Sequence, residues 1–140
     1  TNGKVIWNAL DYEPGYAPPI PAVLAGKQQF VCFFVEGIVG VDIRNGSELW
    51  KIPMKTDYGR HVAAPIAHKD MVVAGSHQVG LQGIRVTKSG KKLGASVKWK
   101  NIEAQPNISH GVRVEDQLRG GRELRLLGRP RFTRRRGRKR

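Results

Sequence analysis

The sequence predicts an all-β chain of antiparallel four-stranded sheets, and three observations predict it. Short runs rich in Val, Ile, Phe and Trp alternate with Gly, Asn, Asp and Pro through residues 1–118, the pattern of strands and tight turns. No window of useful length carries a 3.6-residue apolar period, so helices are not expected. A phrase also recurs. "TNGKVIW" at residues 1–7 and "RNGSELW" at 44–50 both place Asn-Gly four residues before a tryptophan.

The anchors Gly3, Gly46 and Gly90 fall 43 and 44 residues apart, and each precedes a run ending in tryptophan, at Trp7, Trp50 and Trp99. A period of this length marks a repeat architecture in which one supersecondary unit stacks on the next. Residues 1–10 read as the last strand of a preceding unit. The unit at 17–54 contains four strands, near 20–26, 28–35, 37–43 and 48–54. The next, at 61–101, places them near 63–68, 71–76, 80–87 and 95–101. A further unit begins within 106–118, near 109–114. The third phrase, "SGKKLGASVKW", carries five more residues between its glycine and Trp99 than the others do. Asn45-Gly46 reads as a two-residue hairpin turn, since both residues tolerate positive φ. A tryptophan on the last strand of each four-stranded unit is suited to filling the gap between radially stacked sheets. The architecture expected is therefore a β-propeller, present as about two blades plus the start of a third.

Gly40-Val41-Asp42-Ile43-Arg44-Asn45-Gly46-Ser47-Glu48-Leu49-Trp50 resembles the tryptophan-docking motif of quinoprotein-type β-propellers, Ala/Gly-x-Asp-x-x-Thr-Gly-x-x-x-Trp. Asn45 replaces the usual threonine, and the copy ending at Trp99 lacks the aspartate. The chain is similar to pyrroloquinoline-quinone-like repeat proteins, among them outer-membrane assembly lipoprotein scaffolds. The resemblance covers residues 1 to about 118. It implies Gly40, Asp42, Gly46 and Trp50, with Gly3, Trp7, Gly90 and Trp99, as structural docking positions. It also implies a non-catalytic scaffold working in the periplasm or otherwise outside the cytoplasm, as part of a longer protein. The partner would be another protein or the remaining blades of the same propeller.

The alternative within that family is a piece of a quinone-dependent dehydrogenase whose site lies in other blades. Such enzymes bracket pyrroloquinoline quinone with adjacent cysteines and hold calcium through acidic and amide side chains. This chain has one cysteine, Cys32, and Asp42 matches a turn position. No cofactor and no metal are therefore expected, and no catalytic residue is identified.

Composition divides the chain. The net charge of +14 over 140 residues is concentrated at one end. Residues 1–118 carry 14 Lys/Arg and 10 Asp/Glu; residues 119–140 carry 11 and one, nearly all arginine. The second stretch reads as a basic irregular tail, either disordered or the product of a shifted reading frame, because most arginine codons begin with CG. A nucleic-acid-binding arm is a further alternative, since arginine forks suit phosphate, but Phe132 is its only aromatic for stacking on bases. No apolar run approaches the ~20 residues of a membrane helix.

Cys32, within "FVCFF", is expected to be a buried, inert thiol. His61, His68, His77 and His110 match no zinc spacing. Ser76 and His77 are neighbours whose side chains would diverge on a strand. Partner contacts are expected instead from the loops at 11–19 and 54–61, where Tyr12, Tyr16 and Tyr58 combine apolar area with a polar tip.

Overall fold

The computed structural model describes residues 2–106, 111–114, 117–119 and 124–125. Eleven strands and no helix are found among them. The first antiparallel sheet runs in the order β1 (Ile20–Leu24), β2 (Lys27–Phe34), β3 (Gly37–Asp42) and β4 (Glu48–Pro53). The second runs in the order β5 (Ile66–His68), β6 (Met71–Ser76), β7 (Gly80–Ser89) and β8 (Lys92–Asn101). A three-stranded sheet follows, with β10 (Gln117–Arg119) between β9 (Val112–Val114) and β11 (Leu124–Arg125). The two four-stranded units thus lie where the sequence places them.

Alternation along the strands explains how the sheets stack. Val31, Phe33, Ile38 and Trp50 on one face of the first sheet share a core with Val72, Ala74, Ile84 and Val86 of the second. The odd-numbered side chains of β6 point the other way, so Val73 packs with Ile66, Leu81 and Trp99 against Leu118 of the third sheet. Register makes Val31 and Val73 equivalent, because each pairs with a glycine of its third strand, Gly40 or Gly83. The same face of each four-stranded sheet therefore meets the following sheet.

Each of those glycines faces a tryptophan across the ladder, Gly40 with Trp50 and Gly83 with Trp99, and a β-bulge follows each glycine. The indoles lie flat over the missing side chains: a Cβ would fall 2.1 Å from Trp50 Nε1 at Gly40 and 2.1 Å from Trp99 Cε2 at Gly83. Trp50 Nε1 donates to Gln29 Oε1 at 2.6 Å, while the Gln29 amide donates to the Leu24 and Lys27 carbonyls at 3.2 Å. By register the Gln29 position is Met71 in the second sheet. Trp99 Nε1 is accordingly buried without a partner among the described residues.

Four expectations need correction. Residues 2–10 form no strand, because a strand requires a ladder and no described residue pairs with them. Trp7 instead lies against the β3–β4 turn, with Nε1 donating to the Ile43 carbonyl at 3.1 Å and its ring over Gly46. Secondly, Gly3, Gly46 and Gly90 are not equivalent. A Cβ at Gly46 would lie 2.6 Å from the Trp7 ring, whereas Gly3 and Gly90 face open space. The spatially matched pairs are Gly40–Trp50 and Gly83–Trp99.

Thirdly, Asn45-Gly46 is not a two-residue turn. Only Gly46 has positive φ, at 75°. The loop is widened by Asp42, whose carbonyl accepts from Gly46 N at 2.9 Å and whose carboxylate accepts from Arg44 N at 3.0 Å. Fourthly, strand pairing continues past residue 118: Arg119 belongs to β10, and β10 pairs with β11 at Leu124–Arg125. The rest of the stretch read as a tail, including Phe132, lies outside the described residues. His110 does too.

Asp42 anchors the turn electrostatically. It is buried, and Lys27 Nζ stands 2.7 Å from its carboxylate with Arg44 Nε at 3.4 Å. Lys27, then the Arg44 backbone and side chain, hold the Asp42 carboxyl far below the ordinary carboxylate range. A group with a depressed folded pKa adds stability above its unfolded pKa and loses it as pH falls further.

Two predictions follow from this packing. Trp50→Phe leaves Gln29 Oε1 buried and unpaired, so urea denaturation should show about 1–3 kcal/mol of lost stability beyond the volume change. Trp99→Phe removes an N–H that has no partner and should cost clearly less. Asp42→Asn keeps the turn shape and loses the charge pairing. It should destabilise by about 1–3 kcal/mol at neutral pH, with the difference from wild type shrinking as pH falls below about 4.

Candidate functional site

Strand order brings the β2–β3 turn, the 54–61 loop and the β6–β7 turn to one end of the two four-stranded sheets, beside the chain entering β1. Backbone pairing makes these loops a single platform. Tyr16 N and Ala17 N both donate to the His61 carbonyl, at 3.1 and 2.8 Å, and Val35 N donates to the Glu13 carbonyl at 2.9 Å. Met54 N reaches the Glu36 carbonyl at 3.2 Å. Asp57 and Gln78 exchange two bonds across the end, Asp57 N to Gln78 Oε1 at 3.0 Å and Gln78 Nε2 to Asp57 Oδ2 at 2.7 Å.

His61 is the platform's buried pivot. Its ring stacks on Phe33 with centroids 4.1 Å apart and planes 4° from parallel. Nε2 lies 3.4 Å from the Val35 carbonyl, which makes Nε2 the protonated nitrogen of the neutral ring. Nδ1 is buried without a hydrogen-bond partner among the described residues, as are Glu36 Oε2 and Thr56 Oγ1 from the same loops. Burial pushes the His61 pKa down; hydrogen bonding to the Val35 and Met54 carbonyls opposes this, and the His77 charge adds to it. The sequence suggests a turn or surface histidine at this position, and the structure instead buries it completely. A histidine between Arg60 and Val62 carries no sequence signal of burial.

The three tyrosines separate. Tyr16 and Tyr58 are 71 and 73% exposed, on loops that the platform fixes, and the Arg60 guanidinium sits 5.6 Å from the Tyr58 ring centroid. Tyr12 is turned onto the first sheet: its hydroxyl donates to Glu48 Oε2 at 2.6 Å, Lys51 Nζ lies 4.0 Å over its ring, and Phe34 packs 5.3 Å away. Tyr12 is therefore engaged by its own sheet, while Tyr16 and Tyr58 remain presented to solvent.

Ser76 and His77 do not diverge as expected, because β6 ends at Ser76 and the chain turns. Their Oγ and Nδ1 atoms are 3.3 Å apart. The Ser76 hydroxyl donates to the Arg60 carbonyl at 2.9 Å, so in this contact the serine accepts from His77. A hydroxyl whose proton is already given to a carbonyl is not activated as a nucleophile. Cys32 is half-buried rather than buried, and burial raises its pKa, which disfavours thiolate chemistry.

Among the described residues no three His, Cys, Asp or Glu side chains are grouped as metal ligands, and Asp42 is engaged by Lys27 and Arg44. No helix among the described residues is long and apolar enough to cross a membrane. Comparison with protein-family models, with curated proteins and with solved structures gives no match.

The buried neutral His61 predicts a pH response. The unfolded chain takes up the histidine proton near pH 6.5 and the folded chain only at lower pH, so stability falls as pH drops below about 6.5. The denaturation midpoint should decrease between pH 7.5 and 5, above the range where Asp42 contributes. His61→Gln should flatten that slope.

Proposed function

We propose that this chain is a run of β-propeller blades, of the quinoprotein-like kind that its Gly40–Trp50 motif resembles, serving as a non-catalytic scaffold that binds another protein through its loop platform. The observation that carries the reading is the repeated sense of stacking. The face bearing Val31 and Trp50 meets the second sheet, and the equivalent face bearing Val73 and Trp99 meets the third. Successive sheets joined in one rotational sense, with each sheet's outer strand connected to the next sheet's first strand, generate a radial array.

Such an array presents its loops at the two ends of the sheets, and loops held by a rigid framework are suited to recognition. Tyr16 and Tyr58 supply rigid amphipathic area at little conformational cost. The backbone bonds from Tyr16 and Ala17 to His61 hold that area in place before any partner arrives, which lowers the ordering cost of binding. By the same resemblance, the working location is the periplasm or otherwise outside the cytoplasm.

The double substitution Tyr16→Ala/Tyr58→Ala tests the scaffold reading. Both side chains are exposed, so the melting temperature should stay within about 2 °C of wild type. A protein retained by the immobilised wild-type chain should be lost by the variant. Retention of the same proteins by both would refute this assignment of the surface. Pyrroloquinoline quinone with calcium should leave the melting temperature unchanged; a saturable rise would favour the dehydrogenase alternative instead.

A further inference from the structure

The opposite end of the sheets carries a second feature, formed where the repeat departs from itself. The β7–β8 hairpin is longer than its β3–β4 counterpart: β7 runs to Ser89, β8 starts at Lys92, and Ser89 pairs with Lys92 around a Gly90-Lys91 turn. The lengthened hairpin leans over the first sheet, where Leu93 and Ala95 join the shared core. Between its tip and the β1–β2 and β3–β4 turns lies a cleft of about 460 Å³. Ala25, Gly26, Lys27, Gln28, Ile43 and Arg44 form one wall, and Lys88, Gly90, Lys91 and Leu93 form the other.

Four cationic side chains and no acidic one line this space. On the first wall, Lys27 and Arg44 are fixed by the buried Asp42, at 2.7 and 3.4 Å. One carboxylate neutralises only one of those two charges, and it also holds both in position. On the second wall, Lys91 sits on the two-residue turn and Lys88 near the end of β7, paired with Leu93. Like charges held on facing walls repel, and an anion between them converts that repulsion into attraction. The apolar faces of Ile43 and Leu93 and the Gln28 amide give the cleft the mixed lining of a small-molecule site, and its volume falls in the usual range of about 300–1,000 Å³.

We propose that this cleft binds a small organic molecule bearing two or more phosphate charges. Arg44 supplies the planar fork and the three lysines supply point charges, a combination matched to phosphate oxygens. The six residues by which this hairpin exceeds its counterpart, Gly83 to Trp99 against Gly40 to Trp50, are then the ligand-binding insertion of the second sheet. The site is at the other end of the sheets from Tyr16 and Tyr58, and it stands or falls independently of the scaffold reading.

Inorganic pyrophosphate is the probe, titrated into the full chain at fixed ionic strength. Binding is measured by calorimetry and by the backbone amide resonances of Gly26, Arg44 and Gly90. Those three amides should shift together and saturate, and inorganic phosphate should bind about tenfold more weakly. Lys88→Ala/Lys91→Ala, at an exposed hairpin tip, should keep the fold and weaken this saturable phase about tenfold or more. The arginine-rich residues 119–140 are unaltered in that variant, so any binding there persists in both proteins. The proposal is overturned if the two proteins bind pyrophosphate equally, if the cleft amides do not move, or if chloride at matched ionic strength moves them as far.

Discussion

The close approach of an indole to a glycine is the contact on which the arrangement of sheets depends. Trp50 lies over Gly40 because no Cβ stands between them, and the bulge after Gly40 lets the outer strand re-aim the ring. Laid flat, the indole adds area to the face that must be covered by the next sheet without adding height that would prop the sheets apart. Sheets stack about 10 Å apart when their inner faces interdigitate. An upright tryptophan would exceed that spacing. Gln29 then fixes the ring in its plane by accepting its only polar proton. The second sheet repeats the geometry with Gly83 and Trp99 but not the hydrogen bond, since Met71 replaces the glutamine.

The turn that follows Gly40 links this packing to electrostatics. Asp42 shapes the β3–β4 loop through two backbone amides, Arg44 N and Gly46 N, the first through its carboxylate and the second through its carbonyl. Gly46, thus positioned, receives the Trp7 ring. The same carboxylate orients Lys27 and Arg44 along the cleft. One buried acid therefore organises a tryptophan seat on one side and a basic wall on the other. At the far end of the sheets the equivalent role falls to an uncharged group: the His61 carbonyl gathers Tyr16 N and Ala17 N, while its ring stacks on Phe33. The two ends thus differ in character, one cationic and concave, the other carrying exposed aromatic side chains.

By itself the sequence determined the strands of both four-stranded units to within a few residues, because a period-two pattern of Val, Ile and Phe between Gly and Asp turns leaves few other ways to bury apolar area. Its docking-motif resemblance singled out Gly40 and Trp50 as positions, but that they pack on one another, across a bulge, is seen only in the folded chain. Tertiary structure alone decided which glycines were equivalent. Gly3, Gly46 and Gly90 share a spacing, yet only Gly46 meets a ring, since contact depends on which strand lies opposite and not on distance along the chain. It likewise turned Tyr12 inward and left Tyr16 and Tyr58 exposed, buried His61, and gathered Lys27, Arg44, Lys88 and Lys91 around one space. Of these last four, Lys27 and Lys91 are 64 residues apart in the chain. Local pattern encodes pairing between neighbours; the meeting of distant turns is settled only when one sheet packs on the next.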